Sequence, residues 1–234
     1  MGMVHGPNLV TDGLKFYLDA GNVQSYPGSG TTWYDIVGSN DGVITNATYS
    51  STDGGVIVFD GSGDYVMADN HNIPSLESFS VSLWLKYGGT PSAHRIPFWI
   101  SDAEGTPNFL YIEIGSGYNY LGVATETFSQ NKYSTAAAGI NDDNWHHIAV
   151  TRNSGTVLIY KDGIVVTTTA HNMYGGWNTG PGKDLSIGVG MDNGNIYSSS
   201  SVTGSIASVI IYNKALTAAE VTQNYNAHKS RFGL

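Results

Sequence analysis

The most regular feature of the chain is an alternation of apolar and polar positions. Phe79, Val81, Leu83 and Leu85 alternate with Ser80, Ser82, Trp84 and Lys86, the period-two pattern of a half-buried β-strand. Three more strands follow from Trp145 to Thr151, Thr156 to Lys161 and Ile164 to Thr167, with turns at Asn153-Ser154-Gly155 and Asp162-Gly163 making a meander. Nearer the start, Leu14 to Asp19 predicts a first strand, and a loop rich in Gly, Ser and Pro runs from Ala20 to Thr32. Trp33-Tyr34-Asp35-Ile36 anchors the far end of that loop against the core, and Asn40-Asp41-Gly42 turns the chain into Val43-Ile44. Val56 to Phe59 ends at Asp60-Gly61 and is followed by Tyr65-Val66-Met67. The apolar stretches Phe98–Ile100, Phe109–Ile112 and Tyr120–Val123 supply strands in the middle, and Leu185–Val189 and Ser205–Tyr212 supply two late ones.

One segment breaks the pattern. After Leu216 the sequence predicts a short helix: Thr217 caps it, Glu220 completes a capping box, and Leu216 with Val221 forms a hydrophobic staple. Val221 and Tyr225 fall on one face, which packs the helix against the strands.

Composition agrees with many short strands. The chain has 234 residues, 41% of them apolar, with 30 glycines and 15 tyrosines. Length and pattern predict an all-β, two-sheet antiparallel β-sandwich with a short C-terminal helix, a single domain over residues 1–234 with its core at about 13–227. Only 12% of residues are charged and the net charge is -9, so no nucleic acid partner is expected. With no cysteine, disulfides, thiolate zinc sites and cysteine nucleophiles are excluded. No apolar run reaches 18 residues, so no membrane insertion by a helix is expected, and the start, Met1 to Pro7, does not read as a signal peptide.

Two stretches carry a family signal. The first is Trp145-His146-His147-Ile148-Ala149-Val150-Thr151 with Tyr160-Lys161-Asp162-Gly163; the second runs from Gly204 to Thr217 and on to Glu220 and Tyr225. With Val58-Phe59-Asp60-Gly61 and Asp64-Tyr65-Val66, they resemble the laminin-G-like members of the concanavalin A-like lectin/glucanase superfamily, from Leu14 to Ala227. The resemblance implies a jelly roll. The segment Gly13–Asp35 and the ending Gln223–Leu234 resemble the versions found in tailed-bacteriophage structural proteins. What that implies is a virion protein, made in the host cytoplasm and extracellular once assembled, with self-association or another virion protein as its partner.

Fold membership does not settle function. The related glucanases carry Glu-x-Asp-x-Glu on one strand, whereas Glu77, Glu104, Glu113, Glu126 and Glu220 form no such cluster. Glu113, the one in a strand-like setting, has no carboxylate two or four positions away, so the chain reads as non-enzymatic. Gly30-Thr31-Thr32-Trp33 matches only the tail of a sialidase Asp-box, with Gly28 where its aspartate belongs. His146 and His147, adjacent on a strand, point to opposite sides and cannot grip one metal together. Calcium is the one cofactor to consider, with Asp19, Asp35, Asp41 and Asp60 as its candidate ligands at strand ends and turns. A surface glycan is the second partner to consider. Its candidate contacts are Tyr118, Tyr120, Asn172, Tyr174, Trp177 and Asn178, aromatic platforms beside amide groups, with Trp177 foremost. The leading expectation is a virion structural or decoration domain; the alternative is a carbohydrate-binding adhesin, and third comes a glycoside hydrolase.

Overall fold

The alternating segments form two antiparallel sheets in the computed structural model, which describes residues 7–71, 78–89, 91–101, 109–115, 121–125, 132–134, 139–154, 156–166, 183–192 and 195–234. In chain order the strands are β1 (Leu14–Asp19), β2 (Thr32–Trp33), β3 (Gly42–Thr45), β4 (Thr48–Ser50), β5 (Val56–Asp60), β6 (Tyr65–His71), β7 (Ser78–Gly88), β8 (Arg95–Ser101) and β9 (Phe109–Ile114). They continue as β10 (Leu121–Thr125), β11 (Lys132–Ser134), β12 (Asp142–Asn153), β13 (Thr156–Lys161), β14 (Ile164–Val165), β15 (Lys183–Ile187), β16 (Gly190–Asp192), β17 (Asn195–Tyr197) and β18 (Thr203–Tyr212). Sheet I has the order β14-β13-β12-β7-β18-β5-β4, with β1 also on β18; sheet II has the order β11-β10-β9-β8-β15-β6-β3-β2. β16 and β17 form a separate hairpin.

The two sheets meet in one apolar core. From sheet I come Phe79, Val81, Leu83 and Leu85 of β7, Ile148 and Val150 of β12, and Ile206, Val209 and Ile211 of β18. From sheet II come Phe98, Ile100, Leu110, Ile112, Ile114, Leu185 and Ile187. Trp33 is fully buried in the same cluster, as its anchoring role requires. Each such side chain contributes about 1.5–3 kcal/mol by leaving water. Ile206 and Val209 are three positions apart yet share the inner face, which a regular strand forbids. A register shift between Ile206 and Ser208 against β7 resets the alternation. The same point divides the strand's other edge, where Thr203–Ile206 pairs with β5 and Ser208–Tyr212 with β1.

β7 departs from its half-buried reading, because Ser80, Ser82 and Trp84 are buried too. Ser80 Oγ donates to Lys214 O at 2.9 Å and accepts from Leu216 N at 2.8 Å. The cause is the C-terminal segment, which covers the outer face of sheet I. The helix α1 (Ala218–His228) starts at its predicted capping box: Thr217 Oγ1 accepts from Glu220 N, and Glu220 Oε2 accepts from Thr217 N at 2.8 Å. Leu216 and Val221 of the staple are buried together with Ile210 and Tyr212. Further on, Tyr225 and Phe232 pack on Trp84, Trp145, Val56 and Ala207.

Candidate functional site on the outer face of sheet II

The outer face of sheet II has no such helix over it among the described residues. Here the alternation leaves Trp99 and Tyr111 pointing away from the core that takes Phe98, Ile100, Leu110 and Ile112. The two are register partners across β8 and β9, with rings stacked at 5.0 Å and 3° between planes. The β16–β17 hairpin folds back over this face. Met191 is fully buried against Ile96 and Trp99, and Tyr197 meets Trp99 edge-on at 6.1 Å.

Polar contacts fix the hairpin in place. Gly188 N donates to Pro97 O, Gly190 N to Ser200 Oγ at 2.8 Å, and Arg95 Nη1 to Ser199 O at 2.6 Å. Gly190 sits so close to β8 that a Cβ there would lie 2.8 Å from Ile96 Cδ1. The result is a rigid apolar rim: Tyr197 is 40% and Ile196 38% exposed, and Tyr111 and Met67 are half-buried.

Beside the rim lies a carboxylate. Glu113, two residues past Tyr111 and on the same face, is only 1% exposed, and its Oε2 lies 3.1 Å from Nδ1 of the partly exposed His94. Its register partner on β10 is Gly122, where a Cβ would come within 2.7 Å of Glu113 Cγ and Oε1. The bare glycine is what lets the glutamate lie across the neighbouring strand. Burying a carboxylate is costly unless it is paired, so the His94 contact and the glycine make this a constructed polar spot beside aromatic rings.

The glycan contacts expected from the sequence lie outside the described residues. Tyr118 and Tyr120 belong to segment 116–120, which leads into β10; Asn172, Tyr174, Trp177 and Asn178 belong to segment 167–182, which leads into β15. Both strands are in sheet II. Trp99, Tyr111 and Tyr197 were not among the glycan contacts expected from the sequence. The first two were findable, since period two sets each opposite its apolar neighbours.

The four aspartates proposed for calcium serve the backbone. Asp35 accepts from Tyr17 N, Val37 N, Asn40 N and Asn40 Nδ2, and Asp41 accepts from Asp35 N at 2.8 Å. These two are brought together as a loop clasp. Asp60 accepts from Ser62 N at 2.7 Å. Asp19 accepts from Gly21 N and Tyr17 Oη and forms an ion pair with Arg231 Nη1 at 2.6 Å. Among the described residues no group of three or more His, Asp or Glu side chains is placed to hold a metal ion. His146 and His147 do face opposite ways: His146 bridges Asp142 and Asp162, and His147 is buried between Trp84 and Tyr225.

A family model described as the concanavalin A-like lectin/glucanases superfamily matches residues 60–222. No curated protein sequence matches the chain. Among solved structures, domain 4 of AbnA, a GH43 extracellular arabinanase from Geobacillus stearothermophilus in complex with arabinotriose, is 20% identical with a TM-score of 0.66, over 91% of this chain and 98% of that one. Trypanosoma rangeli sialidase in complex with sialic acid is 14% identical with a TM-score of 0.69, over 95% of this chain and 34% of that one. The ligand binding domain of botulinum neurotoxin serotype D, in complex with N-acetylneuraminic acid, is 13% identical with a TM-score of 0.64, over 92% and 50%. At these identities the likeness establishes the fold alone.

Proposed function

Because the chain belongs to the concanavalin A-like lectin/glucanases superfamily, we propose that it is a non-enzymatic carbohydrate-binding module whose ligand lies on the outer face of sheet II. One observation carries the reading. The helix and tail cover the outer face of sheet I, while the outer face of sheet II offers an aromatic rim, Tyr111 and Tyr197, beside the exposed imidazole of His94, which the buried Glu113 holds. Sugars present apolar C–H faces and hydroxyl edges, so rings supply contact area and the polar pair supplies orientation. Support comes also from the arabinanase domain, matched over 98% of its length and solved with arabinotriose.

The test is titration of the intact chain with arabinotriose and N-acetylneuraminic acid, then a glycan array, with and without calcium. Saturable binding weakened tenfold or more by Tyr111→Ala or Tyr197→Ala supports the reading, as does absence of reducing-sugar release. Folded protein that binds no sugar, but self-associates through the same rim, returns the virion structural role expected from the chain's two ends.

A further inference from the structure

The outer face of sheet I holds a device that the sugar reading does not use. Phe232 sits between Trp84 and Trp145, with ring centroids at 4.4 and 4.6 Å, and Tyr225 stacks on Trp84 at 5.7 Å. Arg231 ties the same turn down through Asp19 and through the carbonyls of Asp53 and Gly55. Under this lid lies His147. It is 2% exposed, packed at 5.4 Å from Trp84 and 6.2 Å from Tyr225, and its Nδ1 has no hydrogen-bond partner among the described residues.

We propose that the C-terminal segment, α1 with the turn at Lys229–Phe232, is an acid-released latch over an aromatic face of sheet I. The buried ring of His147 accepts a proton only at a cost while the segment is docked, because burial removes its hydration and no described residue takes a hydrogen bond from Nδ1. The charges around it decide the direction. From α1, a charge on His228 acts on it through space and Tyr225 is neutral; Lys229 Nζ lies over the Tyr225 ring at 5.4 Å, and Arg231 follows in the next turn. From the β13–β14 turn, Asp162 accepts from His147 N and opposes release. His228 contacts Tyr17 Oη at 3.3 Å and lies near Asp19, whose charge is taken up by Arg231. Acid therefore places a cation beneath a segment that already carries Lys229 and Arg231 and gains a further charge on His228.

The sign follows from linkage. Burial, reinforced by His228, holds His147 at about 3 while docked, against 6.5 for a free ring. The undocked state binds the proton more tightly, so docking weakens as pH falls below 6.5 and continues to weaken until about 3. At pH 4.5 the docking constant drops about 100-fold through His147 alone. Burial also lowers His228, which adds to the effect.

Hydrogen exchange of the wild-type chain at pH 7.5 and 4.5, corrected for intrinsic rates, tests this. Amides of residues 218–232 are expected to lose protection about 100-fold or more beyond any loss at Leu83 and Val150 in the sheet. Equal loss in tail and sheet, or none in the tail, overturns the proposal. His147→Leu keeps the volume and the backbone bond to Asp162, and is expected to remove most of the acid effect; an undiminished effect also overturns it. Should that variant fail to fold, the wild-type imidazole resonances decide: His147 protonating near pH 6.5 with the tail still protected sinks the idea.

Discussion

Asn224 joins the two ends of the chain, and its removal has a calculable effect. Its Oδ1 accepts from Val10 N at 2.9 Å, and its Nδ2 donates to Tyr212 Oη at 3.0 Å. Tyr212 Oη in turn donates to Val10 O at 3.0 Å. Three groups thus close a triangle with Val10, Tyr212 and Asn224 all buried. Asn224→Ala removes two neutral hydrogen bonds, about 1 kcal/mol each, and leaves a buried N–H unsatisfied at about 1–3 kcal/mol unless water enters. The expected loss is about 3–5 kcal/mol, or about 2 kcal/mol where water satisfies the N–H. Tyr212→Phe removes the shared bond and the one to Val10 O, about 2 kcal/mol. Because the Asn224–Tyr212 bond is lost in both, the double variant should fall short of the sum by about 1 kcal/mol. Urea unfolding of the four proteins, with unchanged slope, gives these values. A loss under about 0.5 kcal/mol for Asn224→Ala, or strict additivity, refutes the triangle as a stabilising unit.

Three further substitutions probe other parts of the fold. Thr217→Ala takes away the helix cap and half of the capping box and should cost about 1 kcal/mol in thermal or urea unfolding. Gly188→Ala meets both a φ of +88° and a Cβ 2.4 Å from Phe59 Cε1, so it should destabilise by about 1–3 kcal/mol in the same assay. Gly122→Ala pushes against Glu113; it should lower the melting temperature, and the further change Glu113→Ser should restore part of the loss.

What the sequence made legible was local. Period two in β7, the Trp145–Thr151 strand, the turn at Asp162-Gly163 and the capping box at Thr217 each arise among near neighbours, where spacing alone fixes geometry. What it hid depends on partners far along the chain. Asp19 was read only from its place at a strand end, and its ion pair with Arg231, 212 positions on, has no local signal. Trp84 fell on the polar side of its strand, and only the arrival of Phe232 and Tyr225 explains a tryptophan there. β16 and β17 are too short for a periodic signal, so the hairpin that shapes the candidate sugar face was not foreseen.

On the proposed sugar-binding reading, the two faces of the sandwich separate two demands that one surface could not meet together. A sugar face has to stay open, and an open apolar face invites unwanted contacts. Here the aromatic surface of Trp84 and Trp145 is closed by the chain's own tail. The rim at Tyr111 and Tyr197 is left partly exposed, with the Glu113–His94 pair beside it. On this account the tail and the rim are independent. Releasing the tail at neutral pH by Phe232→Ala, which removes its contacts to Trp84 and Trp145, should leave sugar affinity at Tyr111 and Tyr197 unchanged to within a factor of two or so while the Trp84 surface becomes reactive to a hydrophobic dye; loss of sugar binding in that variant would instead show that the sheets communicate through the shared core.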